Sequence, residues 1–169
     1  MRRPVRTAMS MMALGSLLLA STPATAHPPA HSPGTAASAP EADAAAARVV
    51  DAFHAALAQG DTATAAMLLS EAVLVFEGGL AERSRAEYTG AHLPADAAFE
   101  QAVGSQMTRR SGGASGDLAW VASEGQTKGQ FKGRDVDRVT TETMVLRHTS
   151  AGWKIVHVHW SSHATAPVR

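Results

Sequence analysis

Gly152-Trp153-Lys154-Ile155-Val156-His157-Val158-His159-Trp160, closed by Ser161 and Ser162, is the stretch on which the fold turns. Strand alternation puts Trp153, Ile155, His157, His159 and Ser161 on one face and Lys154, Val156, Val158 and Trp160 on the other. Both faces are largely apolar, which predicts a strand covered on both sides and central in its sheet. Two imidazoles on a covered face need partners, so His157 and His159 are either bonded core residues or the lining of a pocket.

Upstream, the apolar period is two and the turns are glycine-rich. Val103 to Arg109 reads as a strand, and Ser111-Gly112-Gly113-Ala114-Ser115-Gly116 as a flexible connection. Leu118 to Phe131 is a further strand, Lys132-Gly133-Arg134-Asp135 a hairpin turn, and Val136 to Leu146 the strand that returns. The apolar phase shifts between Val139 and Met144, which predicts a bulge there. Further upstream the period becomes helical. Val49, Val50, Phe53, Ala56 and Leu57 give one face to a helix over 44–59, which Gly60 stops. Asp61 caps a second helix through Leu69. Val73 to Phe76 is a short buried strand ending at Glu77. Ser84 and Glu87 have capping-box spacing and open a third helix through Tyr88, His92 and Leu93, which Pro94 kinks or ends. Helices first and strands after give an α+β domain with an antiparallel sheet.

The chain has 169 residues, room for one domain with extras. Apolar residues form 45% and charged residues 18%, a globular balance. Fifteen basic residues against fifteen acidic give no footprint for nucleic acid or an anionic membrane. With no Cys, disulfides, thiolate metal sites and Cys nucleophiles are excluded.

Arg2, Arg3 and Arg6 precede an apolar run from Ala8 to Ala20, and Ala24-Thr25-Ala26 forms an A-x-A cleavage site. This is the layout of a signal peptide over residues 1–26, so the mature protein is expected in the periplasm or outside the cell. The run is short for a membrane span, no second one follows, and no Cys offers a lipid anchor. Residues 27–43 read as a Pro/Ala-rich tether, 44–165 as the domain and 166–169 as a tail. His27 at a freed N-terminus can chelate Cu(II), although a mobile tether holds no fixed ligand geometry.

The helix ending in Ala58-Gln59-Gly60-Asp61-Thr62, followed in order by Glu87-Tyr88, His92 to Asp96 and the final Trp153 to Ser162, resembles the nuclear transport factor 2-like superfamily. This superfamily includes the ketosteroid isomerases and SnoaL-like proteins, and the last motifs resemble an exported bacterial subgroup. The resemblance covers about residues 44–163. It implies a curved antiparallel sheet wrapped around three N-terminal helices, a deep cone-shaped pocket and a homodimer. It does not imply a reaction, because the fold hosts many.

Within that frame Tyr88 and His92 lie four apart on one helix face, and Asp96 follows if the helix survives Pro94. Asp, His and Tyr carry proton transfer in enzymes of this fold, so Asp96 or His159 is the candidate base and Tyr88 the candidate oxyanion donor. The alternative is a polar network closing the cone. Candidate ligand contacts are Tyr88, His92, Asp96, Glu77, Glu142, His157, His159 and Trp120, with core roles as the competing reading for Trp120 and the imidazoles. His92, Asp96 and His159 are expected to meet in one pocket, with Tyr88 nearby. No cofactor is expected; if a metal binds, its ligands are His92, Asp96, His157 and His159, with Glu77 or His163 in reach. No Gly-x-Ser-x-Gly elbow is present. The expected function is binding of a small, mostly apolar molecule, with a lyase or isomerase and a metal-binding protein as alternatives. The homodimer is expected through the outer sheet face, carrying Val156, Val158 and Trp160.

Overall fold

A computed structural model describes residues 40–165. The leader, His27, most of the tether and the tail lie outside the described residues. Helix α1 (Pro40–Gln59) and helix α2 (Thr62–Leu68) lead into β1 (Leu69–Glu77) and β2 (Leu80–Glu82). Helices α3 (Arg85–Gly90) and α4 (Leu93–Ala102) follow, and then β3 (Val103–Ser115), β4 (Leu118–Phe131), β5 (Arg134–Thr149) and β6 (Gly152–Ala164).

The α+β class stands, with one refinement. The six strands form a single unclosed sheet in the order β2-β1-β6-β5-β4-β3, and β1 runs parallel to β6 while every other pair is antiparallel. The final strand is central, as its two apolar faces predict. Helix α1 lies across the inward face through the fully buried stripe Ala46, Val50, Phe53 and Leu57, the i, i+4, i+7, i+11 spacing of one helix face. Val73, Val75, Val121, Met144, Leu146, Ile155 and Val158 of the sheet join it in one core.

Three local readings need correction. The glycine-rich stretch Ser111 to Ser115 is strand, not a flexible connection. Gly112 and Gly113 lie against Trp120: a Cβ on Gly112 would stand 2.9 Å from the Trp120 carbonyl oxygen, and one on Gly113 would stand 3.0 Å from its indole nitrogen. The glycines are there for close approach. Second, the single expected helix is two, because Pro94 sits in the first turn of α4. Third, β5 keeps one unbroken register with β4, so no bulge lies between Val139 and Met144. The irregularity is on β6: Val145 pairs with His157 and Leu146 with Ile155, leaving Val156 as the extra residue.

That bulge decides what faces the helices. A one-residue offset moves every later side chain to the opposite face. Before Val156 the inward residues are Trp153 and Ile155; after it they are Val158 and Trp160. His157 and His159 therefore point away from the helices, against Phe76, with ring centroids 5.1 Å and 6.3 Å from its ring. Val158 and Trp160 belong to the interior, not to the outer face.

Candidate functional site

The inward face carries a polar row at one level of the sheet. Arg110, Ser123, Glu142, Trp160 and Glu77 are register neighbours across β3, β4, β5, β6 and β1. At its centre Glu142, 8% exposed, accepts hydrogen bonds on Oε2 from His54 Nε2 of α1 (2.7 Å) and from the Trp160 indole N–H (2.7 Å). Its Oε1 is buried and has no partner among the described residues. The Trp160 ring stacks on Phe53 at 6.3 Å. Arg110 reaches the other side of the row, with Nη1 2.6 Å from Asp51 Oδ1 and Nε 3.4 Å from Ser123 Oγ.

Helices α3 and α4 carry the remaining polar candidates. Tyr88, fully buried, donates its hydroxyl to Asp96 Oδ2 at 2.7 Å. The helix breaks between them, yet the backbone keeps its helical phase: His92 N–H donates to Tyr88 O (3.0 Å) and Asp96 N–H to His92 O (2.9 Å). Tyr88 and Asp96 thus meet despite Pro94. The His92 imidazole takes another direction and pairs through Nδ1 with Glu82, a buried residue of β2. One turn beyond Asp96, half-buried Glu100 accepts from Ser105 Oγ at 3.1 Å.

Burial raises the Asp96 carboxyl above its ordinary range, against the lowering effects of the Tyr88 hydroxyl and His92. Glu100 is raised by burial, despite Ser105 and His54. Glu77 keeps solvent contact, yet partial desolvation and the Asp96 charge raise it too. Burial would raise Glu142 and lower His54, but their mutual bond and charge outweigh it; Glu142 sits below its ordinary value and His54 above. The bond from Glu82 raises His92. Burial, then Asp96, pushes the Tyr88 phenol far up, so it stays protonated and serves as a donor.

The structure brings Tyr88, Asp96, His92, Glu77 and Glu142 to the inward side and does not bring His157 or His159 there. The expected meeting of His92, Asp96 and His159 does not occur, because the Val156 bulge turns His159 outward. His157 instead bonds the Leu74 carbonyl through Nδ1 at 3.1 Å. Trp120, 45% exposed, lies on the outer face as well. The sheet also divides the ligand set His92, Asp96, His157 and His159. Among the described residues no three His, Cys, Asp or Glu side chains converge to hold a metal ion. His54, Glu82 and Glu100 join the site from outside the candidates named above. His54 was detectable one residue from Phe53 on the buried stripe, and Glu100 by its i, i+4 spacing from Asp96.

The model of the SnoaL-like domain matches residues 47–165. No curated protein matches. Among solved structures, the chain is similar to a candidate ketosteroid isomerase from Shewanella frigidimarina: 40% identity over 71% of this chain and 97% of that one, TM-score 0.68. A candidate dehydratase of the nuclear transport factor 2-like family from Streptomyces avermitilis shares 20% identity over 72% of this chain and 96% of that one, TM-score 0.62. The CaMKII hub from S. rosetta shares 22% identity over 72% and 96%, TM-score 0.60. The last two are likenesses of fold.

Proposed function

Since the chain belongs to the SnoaL-like family, we propose that its inward cleft binds a small, mostly apolar molecule, oriented by Asp96 and positioned from behind by Tyr88. The bond from the buried Tyr88 hydroxyl to Asp96 carries this reading: it fixes a half-buried carboxyl at the edge of an apolar interior. Glu82 holds His92 beside it. A nitrogen-15 NMR titration with benzyl alcohol tests the reading. Shifts are expected in the amides of residues 88–100 and 158–160. Shifts confined to 74–76 and 118–122, on the outer face, would overturn it.

A second reading, proton transfer beside a carbonyl, is favoured by the raised Asp96 carboxyl and by the ketosteroid isomerase description of the Shewanella protein. In it Asp96 is the base. The Tyr88 hydroxyl already donates its hydrogen bond to Asp96, so it positions the base and is not free to meet an oxyanion. Deuterium exchange into cyclohexanone in heavy water is expected to run faster than in buffer, and to lose that excess in Asp96→Asn.

The leader marks the protein for export, and a secreted form starting at His27 by intact mass is the expected result. We also assign a homodimer to the outer sheet face, where Leu74, Phe76, Trp120, Val145 and His157 lie adjacent. Leu74, Phe76 and Trp120 are 39%, 37% and 45% exposed, and a neighbour of the same fold is by name a hub. Light scattering should give twice the chain mass, and Trp120→Asp should halve it; a monomer at micromolar concentration overturns this assembly.

A further inference from the structure

His54 turns one ring nitrogen to the interior and leaves the other without a partner. Nε2 meets Glu142 Oε2 at 2.7 Å, behind a ring that is 37% exposed. Among the described residues nothing bonds Nδ1, and the buried side-chain atoms lacking a partner are Asp43 Oδ1 and Glu142 Oε1 alone. Unpartnered and not sealed in, Nδ1 is therefore reached by solvent. The carboxylate also pins the tautomer. With the Nε2 hydrogen held by Glu142, Nδ1 is a bare lone pair in the neutral ring and an N–H in the cation.

Trp160 ties this nitrogen to the binding region. Its indole N–H donates to the same Glu142 oxygen at 2.7 Å, so the imidazole and the indole are neighbours. The Trp160 ring also lies 6.4 Å from that of Tyr88, whose hydroxyl donates to Asp96 at 2.7 Å. Trp160 thus borders both His54 and the Tyr88–Asp96 pair. His54, Trp160 and Asp96 are each half-buried, neither sealed nor lying free on the surface, as the wall residues of a cleft are. At this ring the Tyr88 hydroxyl and the indole N–H are already engaged, so His54 Nδ1–H is the donor left. The charged neighbours of the imidazole are Glu142 of β5, Glu100 of α4 and Arg110 of β3, the last paired at 2.6 Å with Asp51, one turn before His54 on α1. Burial works against the cation, but the bond and charge of Glu142, then Glu100, outweigh it and hold the imidazole above its ordinary value.

We propose that His54 is the second anchor of the cleft, its Nδ1–H donating to an oxygen of the bound molecule beside Trp160, and that this molecule is a small carbonyl compound. This rests on the binding reading above, and the test separates the two. The same NMR titration is run with acetophenone, whose oxygen only accepts, and with benzyl alcohol, which also donates, from about pH 5.5 to about pH 8.5, either side of the imidazole range. As pH rises through the His54 value, Nδ1 becomes a lone pair facing the ketone oxygen. Acetophenone should then bind about tenfold more weakly, whereas the alcohol can reverse its hydrogen bond and should change by less than about threefold. In His54→Gln, which keeps an amide donor and removes the titration, the fall for acetophenone should vanish. Glu142→Gln withdraws the charge that supports the cation and should move the midpoint of the fall to lower pH by about one unit. An acetophenone affinity that does not change with pH, a fall that persists in His54→Gln, or a midpoint unmoved in Glu142→Gln overturns the His54 assignment and leaves the binding cleft standing. If neither compound moves the amides of residues 88–100 and 158–160 at any pH, both fall.

Discussion

Glu142 shows how much a single buried carboxylate can organise. It joins α1 to the sheet through His54 and holds the Trp160 indole, so three elements meet on one oxygen. Its carboxyl is depressed, so its contribution to stability is present above about pH 4.3 and is lost as pH falls through the folded value. The imidazole of His54 is raised, so its contribution is present below about pH 6.5 and is lost as pH rises through the folded value. The pair is therefore fully stabilising only between those limits. Glu142→Gln should cost about 1–3 kcal/mol there, and the cost should diminish on both sides when melting temperature is followed from acid to alkaline pH. A cost independent of pH would assign the effect to packing alone. At this scale the Tyr88–Asp96 pair was legible, because four- and eight-residue spacings survive wherever backbone bonds keep the helical phase. The partner of Glu142 was not, since nothing in the spacing of residues 54 and 142 says which helix lies over which strand.

Local punctuation is legible in the elements where each side chain bonds its own backbone. Ser84 Oγ caps α3 by accepting from Glu87 N–H at 3.1 Å, although Glu87 returns to the N–H of Arg83, one residue earlier than a capping box requires. Ser84→Ala should lower stability by about 1 kcal/mol, measured by denaturant unfolding. Glycine is less legible. Gly112 and Gly113 suggested mobility because the partner that needs their bareness, Trp120, is on the next strand. Gly112→Ala would press a methyl against the Trp120 carbonyl, backbone that cannot step aside, and should cost about 1–3 kcal/mol in calorimetry. No loss would mean that the two strands separate easily at this edge. The bulge on β6 was invisible for a related reason: alternation fixes two faces but cannot say where one residue is skipped.

Across the described domain, burial acts in two opposite ways. The apolar stripe of α1 and its sheet partners supply cohesion, while burial raises the carboxyls of Glu77, Asp96 and Glu100. Groups held above their ordinary range weaken the fold at neutral pH, and that weakness fades as pH falls through their folded values. Glu100→Gln should accordingly raise the melting temperature at pH 7, on the order of a few degrees; a lower melting temperature would show that its bond to Ser105 outweighs the cost of burying the charge. The α+β class and the central final strand were readable from periodicity, whereas the parallel pairing of β1 with β6 was not. Val156, finally, has a genetic meaning. It is one codon, and the residues of β6 after it owe their inside or outside address to its presence. An in-frame deletion of that triplet would trade Val158 and Trp160 for two imidazoles on the inward face in one mutational step, so relatives differing by a single gap here can present opposite chemistries on the same scaffold.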